Sequence, residues 1–358
     1  MWPMPSALSA VCTSSPKPVQ GLCLFETEHG LSEIHKFLFD GLPVRGVLVR
    51  ITDAWCEILR RRAANVSLGA YSEPVQNMLG EMTAAAVLMH SSIKFDGALV
   101  LQIFGDGPVK LAVVEVQSDF ALRATATVSS QVPDLASLSQ MVNVGRQGRC
   151  SITLDPQSRQ PGQQAYQGVV SLLGAKHEKF EQISDVLQHY MLQSEQLDTT
   201  LVLAANDKLA AGLLIQRLPG QGQGNLQGVA ADTSEDAVGH DEDYRRIAML
   251  ASSLKREELL SLDVDSLLRR LFWQESVLRF EPAADVGAPH FSCTCSRVRV
   301  GRMIFGLGLA EVQSILQERA DIEVGCDFCG AQYHFDAIDA LQLFQAAGVV
   351  VAASLPLQ

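Results

Sequence analysis

Four cysteines near the C-terminal end constrain this chain more than any other feature. They form two close-spaced pairs, Cys293-Thr294-Cys295 and Cys326-Asp327-Phe328-Cys329, separated by residues 296–325. Thiolates are soft ligands that suit tetrahedral zinc, and four of them complete its coordination shell. The segment that carries the four cysteines, residues 293–329, is too short to have much of a core of its own. A bound metal would therefore be its main source of folding free energy. The spacing therefore predicts a small four-cysteine domain that binds one Zn²⁺ per chain.

Two histidines lie close enough in sequence to compete for a ligand position. His290 precedes Cys293 by three residues, and His334 follows Cys329 by five. Because four thiols already fill the shell, we expect both histidines to lie outside it. A catalytic zinc keeps one position open for water. A metal hydrolase is therefore not expected, and the chain is predicted not to be an enzyme.

The cysteine pattern by itself leaves three functions open. A zinc site with four cysteine ligands is typical of a zinc ribbon, which would make the chain a constitutive adaptor for a protein or RNA partner. The Cys-x-x-Cys spacing also favours reversible disulfides and a lowered thiol pKa, which permits a redox switch or a thiol oxidoreductase. The absence of a βαβ pattern around Cys326 argues against the oxidoreductase. The net charge of −12 argues against nucleic-acid binding.

Upstream of the cysteines, strand and helix signals are mixed. Val44–Ile51 is a β-rich run, and two apolar runs at 98–104 and 111–116 flank a Gly-Asp-Gly-Pro turn. Pro74 suits the first turn of a helix with one apolar face. We therefore predict an α+β fold, with a mixed α/β N-terminal domain, a helical connector and a small C-terminal zinc-binding domain built on the four cysteines.

Several short motifs accompany the cysteine pairs. The pairs stand in the contexts Phe291-Ser292-Cys293-Thr294-Cys295-Ser296-Arg297 and Cys326-Asp327-Phe328-Cys329-Gly330. Upstream motifs are Val44-Arg45-Gly46, Lys94-Phe95-Asp96-Gly97, Tyr166-Gln167-Gly168, Ser194-Glu195-Gln196, Glu257-Glu258-Leu259-Leu260 and Leu268-Arg269-Arg270-Leu271-Phe272. Together they closely resemble the redox-regulated 33-kDa chaperonin family, heat-shock protein 33, over residues 22–345.

The resemblance implies an ATP-independent holdase that prevents aggregation of thermally unfolding and oxidatively damaged proteins. It implies an inactive form that is reduced and zinc-bound, and an active form with Cys293–Cys295 and Cys326–Cys329 disulfides. The expected partners are unfolding client proteins and, in the oxidised state, a second copy of the chain. Neither nucleic acid nor a membrane is expected as a partner.

With the resemblance, the chain divides into six predicted segments. They are a disordered extension (1–20), an α+β chaperone and dimerisation domain (21–218), a flexible Gly/Gln-rich and acidic insertion (219–243), a redox-sensitive helical linker (244–285), the zinc-binding switch domain (286–345) and a tail (346–358). Only narrow apolar stripes mark the linker helices, which predicts marginal stability. Cys12, Cys23, Cys56 and Cys150 have no nearby Cys or His, and we expect buried or incidental thiols.

Composition favours a cytoplasmic protein. Hydrophobic residues make up 47% of the chain, enough for a sizeable core. No apolar run approaches the roughly 18 residues of a membrane span. The N-terminal residues lack the basic and apolar regions of a secretory signal.

Overall fold

Two antiparallel-rich β-sheets form most of the fold. The computed structural model describes residues 32–66, 68–158, 162, 164–218, 235–280 and 287–345. The strands are β1 (Glu33–Phe39), β2 (Val44–Ile51), β3 (Gly97–Phe104), β4 (Val109–Val116), β5 (Ala121–Val128), β6 (Arg149–Pro156), β7 (Tyr166–Ser171), β8 (Thr199–Ala205), β9 (Ala210–Arg217), β10 (Val277–Arg279), β11 (His290–Phe291), β12 (Asp321–Gly325) and β13 (Gln332–Asp336). The first sheet has the order β10-β1-β2-β9-β8 and the second β11-β5-β4-β3-β6-β7, while β12 and β13 form a separate hairpin.

Helices connect and cover these sheets. They are α1 (Asp53–Ala64), α2 (Glu73–Ser92), α3 (Leu138–Val142), α4 (Ile183–Ser194), α5 (Glu235–Ser252), α6 (Arg256–Ser261), α7 (Val264–Phe272), α8 (Arg297–Leu307), α9 (Leu309–Glu318) and α10 (Ala337–Gln345). The predicted α+β class is confirmed. Among the described residues, each helix is either too short or too polar to span a bilayer. The predicted extension (1–20) and tail (346–358) lie outside the described residues.

The strand predictions near the start of the fold are confirmed. Strand β2 has the predicted bounds, Val44–Ile51. Strands β3 and β4 pair as a hairpin around the turn at 105–108, with Phe104 opposite Leu111. Pro74 lies in the first turn of α2, where its missing N–H leaves no helical hydrogen bond unmade.

Helix α2 is buried on all sides, which corrects the prediction of a single apolar face. Every residue from Met82 to Ser91 is buried, including Thr83 and His90. The helix lies between the two sheets and contacts β2, β8 and β9 of the first and β3, β4 and β5 of the second. A helix covered on opposite sides needs apolar or small residues around its whole circumference.

Helix α5 begins earlier than predicted. It starts at Glu235, so the last part of the predicted flexible insertion (219–243) is helical, and the rest of that insertion lies outside the described residues. The acidic run was interpreted as a loop, but its charges are paired along the helix. Asp241 pairs with Arg245 at 2.6 Å and Asp243 with Arg246 at 3.0 Å. Such i,i+4 and i,i+3 pairs stabilise a helix.

The linker (244–285) buries more apolar surface than its sequence indicates. Its fully or nearly fully buried side chains are Tyr244, Ile247, Ala251, Leu254, Leu259, Val264, Leu267, Leu268, Leu271 and Phe272. They pack on the face of the first sheet that points away from α2. Burying one such side chain contributes about 1.5–3 kcal/mol. The described part of the linker, up to Phe280, is therefore an integral layer of this structure, and the prediction of few apolar contacts was wrong.

Two arginines attach the linker through polar contacts. Arg50 of β2 donates to the carbonyls of Leu259 and Leu262, at 2.9 and 2.8 Å, where α6 ends. Arg256, at the start of α6, donates to Glu81 of α2 at 2.9 Å. Burial raises the pKa of Glu81 to about 7, and the Arg256 guanidinium opposes that rise. Helix α6 of the linker is thus held at both of its ends.

Removing Arg256 is expected to destabilise the chain in a pH-dependent way. A carboxyl whose folded pKa is raised contributes stability below its ordinary pKa, and this contribution is lost as pH rises through the folded pKa. Without the cation, the pKa of Glu81 rises further. Arg256→Ala should lower the free energy of unfolding by about 1–3 kcal/mol more at about pH 8 than at about pH 5, discounted for partial exposure. Urea denaturation at the two pH values measures this.

The matched control removes the titrating group. In Arg256→Ala with Glu81→Gln, the difference between the two pH values should disappear, because the glutamine amide does not ionise. An equal loss of stability at both pH values in Arg256→Ala alone would contradict the ion-pair account.

Candidate metal centre

The two cysteine pairs converge in the residues 287–345, which we call the cysteine module. Cys293 and Cys295 follow β11, and Cys326 and Cys329 lie in the turn between β12 and β13. All four Sγ atoms lie within 4.8 Å of one another. The Cys293–Cys326 and Cys295–Cys329 Sγ distances are 3.7 and 3.3 Å. Zinc–sulfur bonds of about 2.3 Å in a tetrahedron separate the sulfurs by about 3.8 Å. The cluster is therefore compatible with zinc.

The turn at the second pair requires a glycine. Gly330 has a φ of 75°, in the left-handed region that glycine adopts at least cost. Its amide donates to the Cys326 carbonyl at 2.8 Å, and the Cys326 amide donates to Ala331 at 2.8 Å. These two bonds close the turn and bring Cys326 and Cys329 to the same side of it. The position of Gly330 directly after the second pair predicts such a turn from the sequence alone, and its positive φ confirms it.

Around the cysteines, the module has a small core. Its buried side chains are Ile304, Val312, Ile322, Phe335, Ala340 and Phe344. Local sequence indicates α9, through the helical spacing of Leu309, Val312, Ile315 and Leu316, and β12, through Ile322 and Val324. It does not indicate α8 or α10. The signal for α8 was Ser296, whose side chain accepts from the Arg299 amide at 3.2 Å as an N-cap directly after Cys295.

The module is attached to the second sheet by backbone pairing. Strand β11 pairs in parallel with β5, with Phe291 opposite Leu122, and the Ser292 amide donates to the Leu122 carbonyl at 3.0 Å. Arg61 of α1 lies over the Phe291 ring at 4.6 Å. Because this pairing immediately precedes Cys293, the first cysteine pair is held at the edge of the second sheet.

The second cysteine pair contacts the same sheet through side chains of β5. Arg123 lies over the Phe328 ring at 4.3 Å and pairs with Glu115 at 2.6 Å. The Thr125 hydroxyl donates to the Asp327 carbonyl at 3.0 Å. Sequence reasoning did not find these residues, since nothing in the local sequence links β5 to a segment some 200 residues away.

Burial and hydrogen bonds shift the pKa values of the thiols in different directions. Burial raises the pKa of Cys295, but hydrogen bonds from Tyr333 at 3.1 Å and from neighbouring thiols outweigh it and lower the pKa to about 7. Burial raises the pKa of Cys326 and Cys329. The Cys-x-x-Cys spacing predicts a lowered thiol pKa in the second pair, but the lowered pKa is that of Cys295 in the first pair. The largest lowering contribution comes from the Tyr333 hydroxyl.

The two candidate histidines and the other four cysteines lie outside the thiol cluster or outside the described residues. The His290 Nδ1 faces the Ala288 carbonyl, and His334 faces Asp321 and Glu323 rather than the sulfurs. Cys150 is fully buried, and burial raises its pKa to about 12. Cys56 is partly exposed with its thiol near backbone carbonyls. Cys12 and Cys23 lie outside the described residues.

Comparison with known proteins identifies the family. A family profile described as Hsp33 protein matches residues 32–336. The 33 kDa chaperonin of Chromobacterium violaceum is 43% identical over 320 residues, 89% of this chain and 96% of its own length. That of Methylobacillus flagellatus is 41% identical over 312 residues, 87% of this chain and 94% of its own length. The chain belongs to the Hsp33 family.

A solved structure has the same fold. The crystal structure of the 33 kDa chaperonin from Thermotoga maritima is 18% identical, with a TM-score of 0.64 over 88% of this chain and 98% of its own. Membership of the Hsp33 family supports a chaperone function, with unfolded proteins as the clients. The prediction that the chain is not an enzyme agrees with this family.

Replacing Phe328 is expected to loosen the attachment of the cysteine module. Phe328→Ala removes the ring beneath Arg123, an interaction of about 0.5–2 kcal/mol. Amide hydrogen exchange at Ser292 should therefore become faster by about 2- to 30-fold at that energy. The control is Val298→Ala, since Val298 is exposed on α8. Equal exchange at Ser292 in wild type and Phe328→Ala would contradict this account of the attachment.

Proposed function

We propose that the chain is a redox-regulated, ATP-independent holdase, inactive while reduced and zinc-bound and active when oxidised. The observation that carries the proposal is the position of the linker. It covers an apolar face of the first sheet, and the chain continues from it into the cysteine module. A chemical change at the cysteines can therefore alter how firmly an apolar surface is covered.

In the reduced chain, we assign Cys293, Cys295, Cys326 and Cys329 as the ligands of one zinc ion. When bound, zinc would supply folding free energy, with apparent values of about 10–16 kcal/mol in zinc-finger peptides. Support for this dependence comes from the module's core, which has only six buried apolar side chains. So small a core leaves the fold of the module dependent on its thiolates.

Oxidation by hydrogen peroxide would close two disulfides, Cys293–Cys295 and Cys326–Cys329. For each pair, two thiolates, one peroxide and two protons give one disulfide and two waters. The sulfurs lose two electrons and the peroxide gains them. The thiolate is the metal ligand, so a disulfide sulfur, which has lost that charge, binds zinc poorly. The module then loses its main source of folding free energy.

Unfolding of the module would reach the linker through a short connection. The last strand of the linker, β10, pairs with β1 through only three residues, ending at Arg279. Strand β11, ten residues beyond Phe280, is the next attachment to a sheet among the described residues. When the module unfolds, β11 and the Phe328 contact with Arg123 are lost together. Among the described residues, the linker then has no downstream attachment to a sheet.

Release of the linker would uncover the surface that binds clients. The apolar side chains of the first sheet beneath it are Phe37, Phe39, Val44, Leu48, Ala204, Leu209, Ala211, Leu213 and Ile215. A contiguous apolar patch of this kind on a soluble protein is a binding surface for other apolar segments. Unfolding proteins expose such segments, and their binding needs no nucleotide.

Several further assignments belong to this proposal. The predicted domain boundaries, with a chaperone domain at 21–218, a linker at 244–285 and a switch domain at 286–345, follow the same division of roles. We also propose that the chain works in the cytoplasm and that the oxidised form is a homodimer. Light scattering of the reduced and oxidised chain tests the dimer.

An aggregation assay with a thermally unfolding client tests the function. We expect the oxidised chain to suppress aggregation without ATP and the reduced chain to do so far less. Reduced chain should contain one zinc per chain at the thiols and oxidised chain none. Cys326→Ser with Cys329→Ser should lose this zinc even when reduced, because two ligands are missing, whereas Cys56→Ser should keep it. Equal suppression of aggregation in both redox states would favour a constitutive adaptor. Catalysis of disulfide exchange would favour an oxidoreductase.

Hydrogen exchange tests the transmission to the linker. Peptides from α5, α6 and α7 should exchange much faster after oxidation, because the linker leaves the first sheet. Peptides from α2 should stay protected, since that helix is covered by both sheets. Unchanged protection of the linker in an oxidised chain that suppresses aggregation would contradict the proposed route.

A further inference from the structure

The outer face of the β12–β13 hairpin carries a second group of side chains of the types that ligate metals. His334 is directly opposite Glu323 in the strand register, and Asp321 lies two residues before Glu323 on the same face. One donor atom from each of the three lies within 4.8 Å of the other two. The opposite face of the hairpin carries Ile322 and Phe335, which are buried in the core of the module.

The distances between the donor atoms suit a shared metal ion. The His334 Nδ1 lies 3.4 Å from Asp321 Oδ2 and 3.3 Å from Glu323 Oε1. Hydrogen bonds between an imidazolium and a carboxylate are shorter, about 2.7–2.9 Å. Nitrogen and oxygen ligands about 2.0–2.1 Å from a tetrahedral ion are separated by about 3.3–3.4 Å. We propose that Asp321, Glu323 and His334 bind a second divalent transition-metal ion, separate from the four thiols.

The backbone of the histidine is held independently of this group. Arg297 donates to the His334 carbonyl at 2.6 Å and to Asp339 at 2.7 Å, and its guanidinium lies over the Phe335 ring at 4.2 Å. Asp336, also on the outer face, accepts from the Asp339 amide at 2.7 Å and so caps α10. The three proposed ligands therefore stand on a strand pair whose register is fixed by other contacts.

The donor set selects the class of ion. One imidazole and two carboxylates suit borderline ions such as Zn²⁺, Co²⁺ and Ni²⁺. With a neutral imidazole the group carries two negative charges, which a divalent cation neutralises, and water completes the shell. Without thiolates, and with His334 56% and Glu323 65% exposed, the site binds zinc more weakly than four cysteines would. An ion there would join the two strands that lead into and out of the Cys326–Cys329 turn.

Equilibrium dialysis of the full-length reduced chain against Zn²⁺ tests the site. Wild type should bind two zinc ions per chain, the second more weakly. His334→Gln and Glu323→Gln should each bind one zinc ion, because each variant replaces a metal ligand with a neutral amide. The amide is of similar size, so the packing changes little. His290→Gln is the matched control, since His290 is also an exposed histidine of the module, and it should bind two.

Cobalt loading separates loss of the second site from misfolding. Thiolate-bound Co²⁺ has a sulfur-to-metal charge-transfer band, which nitrogen and oxygen ligands do not produce. This band should be equal in wild type and in both variants of the Asp321–Glu323–His334 triad, His334→Gln and Glu323→Gln. Binding of no more than one zinc by wild type, or of a second zinc by both triad variants, would overturn the proposal. Loss of the band in both triad variants would also overturn it, because the triad would then serve the thiol site.

Discussion

The first sheet is apolar on both faces, and most of the architecture follows from covering them. Strand β9 is buried along almost its whole length, with Leu214 facing one core and Leu213 and Ile215 the other. An antiparallel sheet usually leaves one face to solvent and then alternates apolar and polar residues. Here α2 covers one face and the linker the other. The two covers differ in kind, since α2 is enclosed by a second sheet while the linker is an outer layer.

The cysteine module has the opposite problem, because it has too little apolar surface to bury. Its few core residues are supplemented by a four-thiol cluster and by attachment to the edge of the second sheet. The attachment uses the backbone of β11, the Arg123–Phe328 contact and one hydroxyl, from Thr125. A weakly cored module linked in sequence to the outer layer of a strongly cored domain is the arrangement on which the proposed regulation rests.

Local sequence was sufficient for those parts of the fold that local chemistry decides. The cysteine spacing, the Gly330 turn and strand β2 depend on neighbours in the chain, and they were predictable. The enclosure of α2 was not, because the second sheet that covers it comes from later residues. The extent of linker burial was missed for the same reason, since the stripe around Leu267 is widened by Tyr244 of α5 and Leu259 of α6. At the site, Tyr333 lowers the pKa of Cys295 through a contact between residues 38 positions apart.

The two hydrogen bonds from Arg50 fix the position of the end of α6 but do not depend on which side chains α6 carries. Both acceptors, at Leu259 and Leu262, are backbone carbonyls that any residue would supply. Exposed residues of α6 such as Glu257 and Ser261 can therefore be substituted with little effect on the position of the helix. An insertion or deletion of one residue would rotate the helix by about 100°, at 3.6 residues per turn, and carry both carbonyls away from the guanidinium. Length, more than composition, is what this part of the chain has to preserve.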